Sequence, residues 1–88
     1  MPIWPDKIEE RNLDEMFLLQ ASNRAWGKQL RQESQALVNS RLAKTISMEE
    51  YTSSRQSAAE QTAECRRRAE TLSREIESRG AHPLPQIA

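Results

Sequence analysis

Thr45-Ile46-Ser47-Met48-Glu49-Glu50 is the stretch from which the architecture of this chain follows. Ser47 and Glu50 have the spacing of a capping box, in which the hydroxyl accepts a hydrogen bond from the amide three residues later and the carboxylate reaches back to the cap amide. Glu49 and Glu50 also suit the positive end of a helix dipole. Because the sequence is helical in character on both sides, we predict a chain reversal here and an all-α, antiparallel two-helix hairpin.

The composition of the chain agrees with a small helical domain. Its 88 residues suffice for one domain, and only 36% of them are hydrophobic, below the ~45–50% of an average globular domain. Two glycines and abundant Ala, Glu, Gln, Arg and Leu favour long helices. This apolar content is enough for one helix–helix interface, so we expect assembly, most simply a dimeric four-helix bundle.

Capping and helix-breaking residues predict the boundaries of the elements. Asp6 and Glu9 form a second capping pair at the start of the first helix, and Gly80 is expected to end the second helix in the left-handed conformation. We expect the proline-containing tail either to pack with the arm, through Leu84 and Ile87 beside Ile3 and Trp4, or to be disordered. The predicted boundaries are an arm at 1–5, a single domain at 6–80 with helices at about 7–44 and 48–79 around a turn at 45–47, and a tail at 81–88.

The second helix carries apolar and small residues at the 4-3 spacing of a coiled coil. These positions are Met48, Tyr51, Arg55, Ala58, Thr62, Cys65, Ala69, Leu72 and Ile76. Folding the chain about Ser47 places Trp26 of the first helix beside Cys65 and Ala69. Large residues then face small ones, as dense packing requires, and this supports the hairpin independently of the capping signal.

Some apolar residues of the first helix lie away from this interface. Around Met16–Leu19 the helix is apolar on all sides, and one partner helix cannot cover such a girdle. Exposed apolar groups of this kind usually mark a binding surface. The residues that we expect to contact another chain are Leu13, Phe17, Leu18, Val38, Leu42 and Ile46.

The run Arg66-Arg67-Arg68 indicates an alternative function. In the hairpin these arginines lie level with Arg24, Lys28 and Arg31 of the first helix, and a band of six basic residues could bind the phosphates of a nucleic acid or nucleoprotein. Two observations weigh against it: glutamates stand four residues before several arginines, and three consecutive helical residues point in three directions.

No catalytic, cofactor-binding or metal-binding pattern is present in the sequence. Cys65 is the single cysteine and is expected to be a small buried hydrophobe, and His82 has no second histidine or cysteine at metal spacing. Net charge is zero, no basic and apolar leader is visible, and the longest apolar run is too short to cross a membrane. We therefore expect a cytoplasmic, non-enzymatic interaction module (an adaptor, co-chaperone or small inhibitor) without cofactor, metal or small-molecule substrate.

The expected dimer makes a prediction about mass. Sedimentation equilibrium should give a value near twice the 10.1 kDa of the chain. Phe17→Glu or Leu42→Glu should give a helical monomer, because each would place a charge in the apolar interface. A stable monomer for the unmodified chain would contradict self-association.

Overall fold

A computed structural model describes residues 1–84 and shows two long helices packed against each other as a hairpin. A single 3-10 turn at Ile8–Glu10 precedes α1 (Leu13–Leu42) and α2 (Met48–Ser78). The Cα trace measures 50 × 23 × 15 Å, so the hairpin is two helices wide and little more than one helix thick. Neither helix has a stretch apolar and long enough to cross a bilayer, within the residues described.

The reversal lies where the capping signal predicts it. Ser47 is the N-cap of α2, and its Oγ accepts a hydrogen bond from the Glu50 amide at 3.1 Å. The return bond from the Glu50 carboxylate to the cap amide is not formed within residues 1–84. The hydroxyl therefore caps the helix without a reciprocal partner.

Both helices end in the same C-terminal motif. Lys44 (φ 59°) and Gly80 (φ 77°) adopt the left-handed conformation. In each case the next amide donates to a carbonyl five residues earlier, Thr45 to Ser40 at 3.0 Å and Ala81 to Ile76 at 3.2 Å. The left-handed Gly80 confirms the prediction, whereas the lysine adopts at the turn a conformation that costs a non-glycine residue about 1–2 kcal/mol.

The start of the first helix differs from the sequence-based prediction. The predicted helix from Lys7, capped by Asp6, is wrong: α1 begins at Leu13. Its cap is Asn12, whose Oδ1 accepts from the Glu15 amide at 2.8 Å and whose Nδ2 donates to the Glu15 carboxylate at 3.2 Å.

Packing explains the later start. A break at Arg11, which is extended (φ −81°, ψ 148°), lets Trp4 and Ile8 fold back over the end of the hairpin. The Arg79 guanidinium then donates to the main-chain carbonyls of Glu9, at 3.0 Å, and of Arg11. A continuous helix would leave the apolar surface between the two helix ends uncovered.

The buried core consists of two clusters in the half of the hairpin that contains the termini. Met16, Leu72 and Ile76 are fully buried and form the end cluster. The residues that pack around the end cluster are Trp4, Ile8, Leu13, Phe17, Leu19 and Ala81.

The second cluster lies at mid-hairpin and contains Trp26, Leu30 and Cys65, which confirms the predicted juxtaposition of Trp26 with Cys65. A Cβ on Gly27 would lie 3.4 Å from the Cys65 sulfur, at the edge of ordinary van der Waals contact, so the two helices lie close together here. Asn23 Nδ2 donates to the Cys65 carbonyl at 3.0 Å, and the Cys65 thiol donates to the Asn23 carbonyl at 3.5 Å.

The half of the hairpin that contains the turn has no such core. From residue 31 to residue 64 no side chain is buried. The predicted interface position Met48 is 57% exposed, and Tyr51 is half-buried. Two regular helices therefore continue for several turns beyond the last buried residue.

We predict that Ser47→Ala lowers the free energy of unfolding by about 1 kcal/mol, because the Glu50 amide loses its acceptor. Urea denaturation followed by circular dichroism measures the change. Ser53→Ala, at an exposed position inside α2, is the matched control and should change the stability by no more than about 0.5 kcal/mol. Equal effects of the two substitutions would show that the cap does not stabilise the turn.

Candidate functional site: the open side of the hairpin

The two broad sides of the hairpin are different. At 100° per residue, Arg68 and Arg66 lie on opposite sides of Cys65, which faces α1. The N-terminal arm crosses the side of Arg68, where Pro2 and Trp4 contact it. We call the other side, marked by Arg66, the open side.

Arg68 fixes the arm to both helices. Its guanidinium carbon lies 5.1 Å from the centre of the Trp4 ring and 5.2 Å from that of Trp26, so the cation is stacked between two indoles. Nη1 donates to the Pro2 carbonyl at 2.8 Å, and Nε donates to Glu64 Oε1 at 3.1 Å. With only 8% of its surface exposed, Arg68 is a structural residue.

The predicted basic band is therefore divided. Arg68 is buried beneath the arm, so its predicted role as a phosphate contact is wrong. Arg67 and Lys28 are exposed, and Arg67 forms an ion pair with Glu64. The three arginines that the fold brings to one surface are Arg24, Arg31 and Arg66.

These three arginines border a groove of about 920 Å³ between α1 and α2 on the open side. Its apolar lining includes Leu30, Val38 and Cys65. A second depression of about 390 Å³ continues the groove towards the turn and shares Val38 and Arg66 with it. The remaining lining residues of this second depression include Leu37, Tyr51, Arg55, Ala58, Ala59 and Ala63.

Helical periodicity explains why the groove is long. Phe17, Arg24, Arg31 and Val38 recur every seven residues and so form one stripe along α1, with Leu42 four residues further. The two arginines stand at its centre, between the apolar ends. The sequence spacing places all of these residues on one stripe of α1, and the helix pairing shows that Arg24, Arg31 and Val38 of this stripe border the groove.

The Cys65 thiol is expected to have low reactivity although Cys65 lines the groove. Burial raises the pKa of the Cys65 thiol, although the positive charge of Arg68 acts in the opposite direction. A raised pKa keeps the thiol protonated at neutral pH, and the thiolate is the reactive form. The side chain therefore serves as a small packing residue and as a donor to Asn23.

The predicted protein-contact residues fall on three different surfaces. Val38 borders the groove, and Leu42 is 77% exposed beyond it. Leu18 is 71% exposed but lies about 160° away from Val38 around the helix, so it belongs to another surface. Ile46 is half-buried in the turn, where its carbonyl accepts from Arg41 at 3.2 Å.

The other two predicted contact residues, Leu13 and Phe17, are partly covered by the chain itself. Both pack against the end cluster, so the expectation that the hairpin leaves Phe17 uncovered is wrong. The segments that sequence periodicity could not place are the termini, which supply Trp4 and Ala81 to this cluster.

The C-terminal segment also closes one end of the groove. The Gln20 side chain donates to the Leu84 carbonyl at 3.1 Å and accepts from the Leu84 amide at 2.8 Å. The described part of the tail therefore packs on the hairpin, which is the first of the two alternatives expected from the sequence. Ile3 does not take part, since it is 92% exposed, and Ile87 lies outside the described residues.

Within residues 1–84 no group of three His, Cys, Asp or Glu side chains could hold a metal ion. His82 is exposed. In comparisons with known proteins, no protein-family model, no curated protein and no solved structure matches this chain.

We predict that Arg68→Ala lowers the free energy of unfolding by about 2 kcal/mol, because it removes two charged hydrogen bonds and the stacked cation. Tryptophan emission should shift to longer wavelength as Trp4 and Trp26 become hydrated. Arg67→Ala is the neighbouring control at an exposed position and should leave both values nearly unchanged. If the arm resists proteolysis equally in wild type and Arg68→Ala, Arg68 does not fix the arm to the helices.

Proposed function

We propose that this chain is a non-enzymatic protein-binding module, an adaptor, co-chaperone or small inhibitor, whose open side receives a helix of a partner. The observation that supports the proposal best is that the half of the hairpin near the turn has no buried core. Long helices in water owe most of their stability to packing of an apolar face. Between residues 31 and 64 no side chain is buried, although both helices run through this half of the hairpin.

The apolar residues that lack cover in this half are substantial. Leu42 is 77%, Met48 57% and Val38 38% exposed. All three lie near the turn, on or beside the open side, and burying a side chain of this size gains about 1.5–3 kcal/mol. A third helix laid along the groove would bury them together.

The open side has the features of a helix-binding groove. Amphipathic helices bind such grooves through residues spaced by three, four and seven positions. The groove runs from about Gln20 to Val38, which corresponds to roughly 27 Å or five helical turns. Apolar residues lie between the helices and charged residues at the margins, as in typical protein interfaces.

A second copy of the chain is an alternative occupant. Two hairpins pairing through their open sides would make the coiled-coil-like, dimeric four-helix bundle expected from composition. The groove charges weigh against it, because two-fold pairing through the groove would bring Arg24, Arg31 and Arg66 close to their own copies. The sedimentation measurement described above decides between a dimer and a monomer that awaits another protein.

A nucleic-acid function is the second candidate, because three arginines share one surface. It is weaker than the sequence suggested, since Arg68 is buried and Arg67 and Lys28 lie elsewhere. The exposed apolar residues near the turn have no role in contacting phosphates. Binding of DNA or RNA that falls steeply with salt would support this candidate.

We predict that Leu42→Asp abolishes retention of a native partner, whereas Leu18→Asp does not. Both substitutions place a carboxylate at a highly exposed leucine of α1, but only Leu42 belongs to the open side. Affinity capture from the source cells, quantified by mass spectrometry for wild type and both variants, measures the difference. Proteins retained equally by all three, with none specific to an intact Leu42, would contradict the proposal.

A further inference from the structure

We infer that the groove binds an acidic amphipathic helix of another protein, with its carboxylates paired to Arg24, Arg31 and Arg66. This inference rests on the proposed function and names the chemistry of the partner. It follows from the distribution of charge, the spacing of the arginines and the apolar character of the groove.

The groove concentrates positive charge in a chain that has none overall. The sequence contains 13 basic and 13 acidic residues, yet the groove of about 920 Å³ is lined by three arginines and one acidic residue, Glu70. The Glu70 carboxylate forms an ion pair with Arg74, which is 76% exposed. It therefore neutralises little of the groove's charge.

Two of the groove arginines, Arg24 and Arg66, differ in their pairing from several other arginines of the hairpin. Arg11, Arg67, Arg74 and Arg79 each form an ion pair with a glutamate three or four residues away. Within residues 1–84, Arg24 and Arg66 form no ion pair. Arg24 Nε is also buried without a hydrogen-bond partner in this part of the chain, a state that costs free energy. A carboxylate from outside would pair with the guanidinium of the exposed Arg66 and with that of the half-buried Arg24, through nitrogens other than the buried Nε.

The spacing of the arginines matches the repeat of a helix. Arg24 and Arg31 are seven residues apart, so their side chains leave α1 about 10.5 Å from each other. A partner helix lying alongside presents flanking residues at the same seven-residue interval. Two glutamates or aspartates one heptad apart would therefore meet both guanidiniums, and arginine binds a carboxylate through two parallel hydrogen bonds.

The groove's apolar lining selects a helix over a polyanion. Leu30 and Cys65 form its floor and are themselves only 2% and 9% exposed, so the accessible apolar surface is chiefly that of Val38, which is 38% exposed, towards the turn. Apolar side chains of an amphipathic helix pack on such a surface, whereas a sugar-phosphate backbone has no group that does.

The test uses three synthetic helical peptides of about 21 residues with identical apolar heptad positions and glutamate, glutamine or lysine at the flanking positions. Fluorescence anisotropy measures their binding to the full chain at low and high salt, with duplex DNA as a fourth ligand. The acidic peptide should bind at least about tenfold more tightly than the basic one, and salt should weaken it.

The matched variants change the same charge on different surfaces. Arg24→Glu with Arg31→Glu should weaken the acidic peptide by about tenfold or more and improve the basic one. Lys7→Glu with Arg67→Glu makes the identical charge change on exposed residues outside the groove and should alter binding by less than about threefold. Circular dichroism confirms that both double variants keep their helices.

The remaining outcomes separate the inference from the proposed function. The neutral peptide could bind as tightly as the acidic one, with binding lost in Val38→Asp but unchanged in the arginine variants. This result would overturn the inference of an acidic partner and would support a protein-binding groove. A wild-type dimer that is lost with Val38→Asp, and so buries the groove, overturns the inference in favour of a second copy. DNA binding tighter than that of the acidic peptide, lost with Arg24→Glu and Arg31→Glu, overturns both proposals. If the acidic peptide does not bind at millimolar concentration, the inference is overturned. The proposed protein-binding function is then still tested by whether partner capture depends on Leu42.

Discussion

A guanidinium held between two indole rings gives the hairpin its two unlike sides. Arg68 comes from α2, Trp26 from α1 and Trp4 from the arm, so one stacked cation joins three segments that are distant in sequence. Its hydrogen bonds to Pro2 and Glu64 satisfy the charge that burial would otherwise penalise. With the arm on this side, the groove on the opposite side is left to face solvent.

The same arrangement divides the molecule along its length. Near the termini, the arm and the segment after Gly80 thicken a two-helix layer enough to bury Met16, Leu72 and Ile76 completely. Towards the turn no other segment within residues 1–84 covers the two helices, and by themselves they bury no side chain fully. Stability is thus concentrated in one half, and the other half offers the surface on which binding is proposed. A partner helix would extend the core into that half.

The candidate site was only partly predictable from residue patterns. The apolar residues Val38 and Leu42 stand out as a stripe without a partner, and the structure places Val38 at the groove and leaves Leu42 exposed beyond it. The arginine run was misleading because neighbours on a helix point apart: Arg66 borders the groove, Arg67 faces solvent and Arg68 is buried. No periodicity distinguishes these fates, since they depend on where the arm lies.

The sequence by itself determined the hairpin and its turn, because caps are local: a hydroxyl at Ser47 and a glycine at position 80 act through hydrogen bonds within a few residues. The contact between Trp26 and Cys65 is also predictable from the sequence, since the residues of a regular helix that face its partner recur at a fixed spacing. Only the tertiary structure decided that α1 begins at Leu13 and that Arg68 is a core residue. Both depend on the arm folding back over the helix ends, and such contacts between remote segments leave no pattern in the local sequence.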